Sequence, residues 1–533
     1  MVKKNVKRRL YCFNLFFLLI IALLSARLAY IQIKGHEELS ATALKQQRIR
    51  IEGADARGVI YDRNRIPLTG TNKDYVYIID RKVIQQNGTK TLEDYGARKI
   101  SNYSQDYVVY TFSEFNSKAD EVLRKEYKAY VMEAERRYNN DQVAAHLLGY
   151  VKELDGSGAS GVELAFNDVL SERKRYLYAS ADAKGKIIPG IGLSSNIENG
   201  ATGVVTTLDI KLQEEIERIL NENELNGAIV VLESKTGQIL AASSTPAFNP
   251  NRVKDYIGSS NGELVNKVIQ GEYPPGSIFK IIVAVAALEN GTLDANGKAI
   301  TLDSKFLCKG SQELYGINIK CSTGGANGHG EITLKDAFAK SCNSAFIQLG
   351  QLTGGKNILK TAEDFGLGEP TLSDIVNEKK GHLTEEADTA FAGIGNLSIG
   401  QGSLLVTPIQ IARMTNIIAN MGVNKGVCLL KDTEKMEEYI ISAHTARKLN
   451  EMMIATMEYG TGDNITTSAI VAGKTGSAEA YSRGEKVVHG WFTGFFPAED
   501  PKYTITVFVE NGRSGRLSAV PIFEKIEKYL TKE

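Results

Sequence analysis

The sequence predicts a multidomain α+β protein. An N-terminal membrane helix leads into a middle region, and a C-terminal domain follows in which an antiparallel sheet is flanked by helices. Three observations carry this prediction. The chain has 533 residues, too many for one ordinary core. It opens on a basic cluster followed by a long apolar run. Its second half begins and ends in strand-like segments that bracket a long helical region.

Lys3, Lys4, Lys7, Arg8 and Arg9 precede an uncharged, mostly apolar stretch from Leu10 to Ala26. If Arg27 snorkels and "LAYIQI" continues the helix, the segment is long enough to span a bilayer. A cleaved signal peptide is the competing reading. Its apolar core usually covers only ~7–15 residues, and Leu24 stands where a small residue is needed for a cut after Ala26. The expected arrangement is a cytoplasmic tail at 1–9, an uncleaved anchor at 10–33, and everything after Ile33 outside the cytoplasm.

After the anchor, "RGVIYDRNRIPLTG" reads as two short apolar pieces around a polar turn. "ADEVLRKEYKAYVMEAERRY" carries charges four residues apart and reads as a solvated helix from Ala119 to Tyr138. "GASGVELAFNDVL" reads as an amphipathic helix and "SADAKGKIIPG", from Ser180, as a hairpin. Composition shifts near Asn199, Gly200 and Ala201, which divides the chain into a middle region at 34–202 and a C-terminal domain at 203–533. That domain starts strand, helix, strand, turn, strand and finishes with two strands and a helix.

Acidic and basic residues balance at 63 each, so no bulk field recruits nucleic acid, and no basic patch with interleaved aromatics appears. Cys308 and Cys321 bracket a short glycine-containing loop, which permits a disulfide or leaves two free thiols. Cysteines without a CxxC pattern, and histidines without metal spacing, predict no metal and no cofactor. Cys342 reads as a small apolar filler and Trp491 as core.

The chemistry concentrates in three short motifs. "YPPGSIFKII" places Ser277 and Lys280 one turn apart at the mouth of an apolar helix. Taken alone, the stretch fits a capping serine with a snorkelling lysine as well as a reactive pair. "AKSCNSAF" holds Ser341 and Asn343, and "VAGKTGSAEA" holds Lys474, Thr475, Gly476 and Ser477. Each motif recurs elsewhere in the chain as a decoy, for example at Ser171 to Lys174 and at Lys235 to Gly237. Only one set has this order, with its serine opening an apolar helix and its K-T-G opening a strand.

The ordered set S-x-x-K, S-x-N and K-T-G resembles the penicillin-binding proteins and serine β-lactamases. "TLDIKLQ", "GQILAASSTPAFNPN", "HGEITLKDAFAKSCNSAF" and "SIGQGSLLVTPIQIA" narrow the likeness to the transpeptidase domain of class B penicillin-binding proteins. "RGVIYDRN" and "SGVELAFNDVL" resemble that family's elongated pedestal, or dimerisation-type, domain. Arg65 stands where the family usually has glycine, and the pedestal is short.

The resemblance implies a D,D-transpeptidase that cross-links peptidoglycan stem peptides through an acyl-enzyme on Ser277 and is inhibited covalently by β-lactams. Lys280 would be the base, which requires a neutral amine, although an unperturbed lysine has a pKa of ~10.4. Burial against Phe279 and Ile281, the charge of Lys474 and the helix start would each lower it. By the same resemblance, Ser341 relays a proton and Asn343 holds the substrate amide and Lys280. The N–H groups of Ser277 and Ser477 would form an oxyanion hole. Lys474 would supply positive charge, Gly476 would keep the strand edge open, and Thr475 and Ser477 would hold the substrate carboxylate.

A β-lactamase and a penicillin-sensing protein of the same fold are the rival readings. The Glu-x-x-Leu-Asn-like "ENELN", at Glu222 to Asn226, lies ahead of Ser277 rather than between S-x-N and K-T-G, which speaks against the hydrolase. A partner that polymerises glycan, a polytopic membrane glycosyltransferase, is implied because no such domain precedes the pedestal. Nothing in the sequence fixes a homo-oligomeric state.

Overall fold

The computed structural model describes residues 2–33, 48–52, 57–100, 107–152, 156–171, 174–180, 194–198, 203–321, 325, 327–372, 374–433, 437–482 and 484–532. The chain forms two compact units, Met1–Ala56 with Lys73–Glu135 and Arg173–Gly200, and Arg57–Asn72 with Arg136–Glu172 and Ala201–Glu533.

The first unit begins with the helix Val2–Ile33. Among the described residues, its Lys7–Ile33 portion is the one helix long and apolar enough to cross a membrane. A four-stranded sheet follows, ordered Arg98–Ile100, Tyr107–Phe112, Asn72–Asp80, Tyr130–Arg136. Tyr77, Ile79, Val108 and Tyr110 pack with Ala119 and Leu123 of the helix Ser117–Lys125, which Asn116 caps. The long helix expected from Ala119 to Tyr138 therefore ends early. Lys128 takes a left-handed φ of 48°, and the remaining residues form an edge strand. The competing signal was a period of two: Tyr130, Met132 and Ala134 pack on Val76, Ile78 and Val109. A second sheet pairs Arg48–Glu52 with Lys174–Ser180, and that strand with Ser194–Glu198, all antiparallel. The hairpin turn expected after Ser180 lies outside the described residues.

The second unit contains α1 (Ile210–Glu222), β1 (Gly227–Glu233), β2 (Gln238–Thr245), α2 (Lys280–Glu289), α3 (Leu334–Ala339), α4 (Asn343–Thr353), α5 (Pro408–Ala419) and α6 (Ala443–Glu458). It closes with β3 (Ala472–Ser482), β4 (Glu485–Phe496), β5 (Tyr503–Val509) and α7 (Val520–Leu530). The five strands are antiparallel in the order β2-β1-β5-β4-β3, so the K-T-G strand β3 is an edge. Ile216 and Leu220 of α1 and Phe523 and Ile526 of α7 cover one face, against Ile229, Val231, Ile505 and Val507. The opposite face joins a larger core that includes α2, in which every residue from Lys280 to Leu288 is buried. A helix buried on all sides needs an apolar residue at each position. Lys280 is the exception.

The break expected at residue 203 does not follow the compact units. Ile60 pairs in parallel with Val204, and Leu68, Leu147, Leu148, Val162 and Leu170 belong to the large core. Glu163 is the polar centre of this part. Its carboxylate accepts from Arg57 Nε at 2.8 Å, Arg137 Nε at 2.6 Å and Tyr138 Oη at 2.8 Å, with none of its side chain exposed. The helix expected at "GASGVELAFNDVL" forms as two short pieces, Gly161–Ala165 and Asn167–Ser171. Arg65, in the family's glycine position, adopts φ 63° in a turn held by Asp62 Oδ1, which accepts from the N–H groups of Asn64 and Ile66 at 2.7 Å. The turn thus forms despite the Cβ that disfavours it.

Removing one partner of a buried charge cluster strands the others. Glu163→Ala should therefore destabilise the detergent-solubilised chain by about 3–5 kcal/mol, read from its denaturant midpoint. A change within about 0.5 kcal/mol, the size typical of a surface site, would contradict that role.

Candidate active site

Pro274, Pro275 and Gly276 break the chain before a 3-10 turn, Gly276–Phe279, that runs directly into α2. Gly276 has φ 53°, and a Cβ there would sit 2.6 Å from the Ser477 carbonyl oxygen. Glycine is required for both reasons, and it brings the Ser277 turn against the K-T-G strand. Gly476 works from the other side: a Cβ would lie 2.8 Å from Ile278 Cγ1 and 3.1 Å from the Pro275 oxygen. The missing side chain at Gly476 is therefore space taken by the nucleophile turn.

Lys280 is fully buried, and its Nζ faces four oxygens. These are Ser277 Oγ at 3.1 Å, the Ser341 carbonyl at 2.8 Å, Ser341 Oγ at 3.2 Å and Asn343 Oδ1 at 2.8 Å. Asn343 Nδ2 donates to the Lys320 carbonyl at 3.0 Å, which fixes its amide with the oxygen toward Lys280. Two of the four oxygens can only accept. A neutral amine satisfies both with its two N–H groups and keeps its lone pair for the Ser277 hydroxyl proton. Burial lowers the Lys280 pKa to about 8, against the opposing influence of Cys342 and Cys321.

Ser341 joins α3 to α4 in a left-handed conformation, φ 55°, closed by its own N–H to the Phe338 carbonyl and by Cys342 N–H to the Ala337 carbonyl. That turn aims both Ser341 groups at Lys280. Lys474 is also fully buried, with Nζ 3.1 Å from the Thr475 carbonyl and 5.4 Å from the centre of the Phe338 ring. Its pKa is pushed well down, first by burial and then by the charge of Lys280. Two charges so close repel one another, so the pair favours at most one proton at a time. Thr475 Oγ1 lies 2.5 Å from Thr461 Oγ1, and Ser477 Oγ accepts from Gly515 N–H at 3.2 Å. All three motifs therefore reach one site.

Two sequence expectations change here. Cys308 and Cys321 are free cysteines, one of the two alternatives their loop left open. They converge with His329 and Cys342 so that the four donor atoms lie within 4.8 Å of one another, with Cys321 Sγ 3.7 Å from Cys342 Sγ and 3.8 Å from His329 Nδ1. A tetrahedral zinc ion at about 2.3 Å from each sulfur separates two sulfurs by about 3.8 Å. The expectation of no metal site does not match this donor set. Cys342 caps α4 between Ser341 and Asn343, so it is more than apolar filler. The scattered spacing of the four residues hid the group, and Thr461 carried no motif at all.

The penicillin binding protein transpeptidase domain family matches residues 227–528. The chain is 29% identical to stage V sporulation protein D of Bacillus subtilis, over 98% of this chain and 85% of that protein. It is 28% identical to the peptidoglycan D,D-transpeptidase MrdA of Acinetobacter baumannii, over 97% and 88% respectively. Its fold superposes with TM-score 0.72 on the Helicobacter pylori penicillin-binding protein PBP2 solved in complex with MreC, at 22% identity, covering 91% of this chain and 99% of that one. With more than half its length matched and the three motifs gathered around Ser277, the chain belongs to the penicillin-binding protein transpeptidase family.

Proposed function

We propose that the chain is a membrane-anchored peptidoglycan D,D-transpeptidase whose nucleophile is Ser277 and whose general base is Lys280. The observation that carries this reading is the set of four oxygens around the buried Lys280 amine. Neutral Lys280 takes the Ser277 proton as Oγ attacks the carbonyl of the penultimate D-alanine. The resulting oxyanion is met by the N–H groups of Ser277 and Ser477. The C–N bond then breaks as Ser341 passes its proton to the departing D-alanine and takes the one held by Lys280, 3.2 Å away, which leaves the amine neutral again. An amine of a second stem peptide attacks the ester, forming the cross-link and returning a proton to Ser277 Oγ. Asn343 holds the substrate amide. Thr475, Ser477 and Lys474 receive the terminal carboxylate, whose charge favours a proton on Lys474.

The basic residues ahead of the apolar helix support a cytoplasmic N-terminus and an extracytoplasmic catalytic domain, and the family resemblance supports a pedestal within 34–202, of which 57–72 and 136–172 belong to the larger compact unit. The family resemblance supports a polytopic glycosyltransferase as partner, and the similar fold solved in complex with MreC supports a further protein partner. The β-lactamase reading is not favoured: "ENELN" sits where α1 ends, ahead of the nucleophile.

We also propose that Cys308, Cys321, His329 and Cys342 hold a zinc ion that fixes the S-x-N turn. What supports this reading is the donor set itself, three cysteines and a histidine, a combination that holds structural zinc.

Fluorescent penicillin should label the full chain stably, and Ser277→Ala should abolish both labelling and dimerisation of D-Ala-D-Ala stem peptides. Label lost within minutes, or labelling that survives the substitution, would contradict the reading. Acylation should rise as pH increases through about 8, because Lys280 becomes a base only on losing its proton. The gain from pH 7 to 9 should be about tenfold and then level off, whereas an unperturbed lysine would give about a hundredfold and keep climbing. Metal analysis should find about one zinc per chain, lost in Cys342→Ala together with most acylation. Full activity after complete chelation would sink the metal assignment.

A further inference from the structure

Thr461 lies on the loop after α6, outside the three motifs, yet it touches two of the elements that carry them. Its N–H donates to the Ala339 carbonyl at 3.0 Å, two residues ahead of Ser341. Its hydroxyl lies 2.5 Å from the hydroxyl of Thr475 and 3.5 Å from that same carbonyl. The loop is pinned on both sides. A Cβ on Gly460 would sit 2.3 Å from the Ala339 oxygen, Arg516 Nη1 donates to the Gly460 carbonyl at 3.2 Å, and Arg516 pairs with Asp463 at 2.6 Å.

Each hydroxyl has one proton to give. The pair therefore has two settings. In the inward setting, Thr475 donates to Thr461, which donates to the Ala339 carbonyl, and Thr475 offers a ligand only lone pairs. In the outward setting, Thr461 donates to Thr475, whose own proton is then free for a carboxylate. Reversal leaves no backbone group orphaned, because the Ala339 carbonyl still receives the Thr461 N–H. It gives up only the 3.5 Å contact, a weak bond at that distance.

We infer that Thr461 is a positioning residue for carboxylate recognition, a donor behind Thr475 that turns its hydroxyl toward the substrate's terminal carboxylate and polarises it. Aligned hydroxyls strengthen one another, and a bond to a charged acceptor gains most from such backing. The specificity of the enzyme for a free carboxylate is therefore set partly one hydroxyl behind the K-T-G motif. This inference rests on the reading that Thr475 meets that carboxylate.

The test compares acylation of the full chain by a penicillin and by its methyl ester. Wild type should favour the acid. Thr461→Val, which keeps the shape and removes the hydroxyl, should slow acylation by the acid about three- to tenfold, the worth of one ordinary hydrogen bond. The ester rate should change less than about twofold. Thr461→Ser should restore the preference, and it also serves if the valine variant folds poorly. Equal losses on acid and ester, or no loss on either, would overturn the inference while leaving the carboxylate reading intact. A wild type without preference for the acid would overturn both.

Discussion

An amine is buried where water cannot solvate its charge, and the rest of the site is arranged around that constraint. Lys280 opens a helix otherwise built to fill the core, and none of its surface is exposed. Burying a lysine without partners would be costly. Here the cost is met by oxygens that suit a neutral amine and a protonated one, so the group can exchange a proton with Ser277 without leaving an unsatisfied atom. Lys474, equally buried on the neighbouring strand, makes a second charge in the same place unfavourable.

Holding that arrangement falls to backbone conformations that few residues tolerate. Gly276 and Gly476 let the nucleophile turn and the edge strand approach within a distance no Cβ would allow. Ser341 accepts a left-handed φ, which turns its carbonyl and its hydroxyl onto one amine. Behind the strand, a Cβ on Gly515 would meet the Gly476 carbonyl at 2.3 Å, so the segment leading into α7 presses on the motif from the far side. The cysteine and histidine group acts at the same turn through Cys342. Geometry set by close packing changes little under load, which suits a site whose donors must be in place before charge develops.

The antiparallel sheet with its helices and the order of the three motifs were legible in the sequence, because alternation, apolar periodicity and short fixed spacings survive in one dimension. Lys280 was conspicuous as the single charge in an apolar run. Other features were hidden for definite reasons. The segment after Lys125 looked helical because its charges recur every four residues, while the half-buried Tyr130, Met132 and Ala134 recur every two. Arg57, Arg137 and Glu163 stand far apart in the chain, so their cluster, which draws 57–72 and 136–172 into the larger unit, left no local trace. The four potential metal donors are spread from Cys308 to Cys342 without a paired motif. Thr461 is one threonine among many until the fold sets it against Thr475.

The central claim concerns a proton, and the most direct measurement observes it. The full chain can be labelled with 13C at the lysine side chains, the Lys280 resonance assigned by its loss in Lys280→Arg, and its chemical shift followed against pH. Burial among these oxygens predicts a midpoint near 8. A midpoint near ~10.4, the value of a lysine in water, would show that the amine stays charged at working pH, and the account of Ser277 activation would fail.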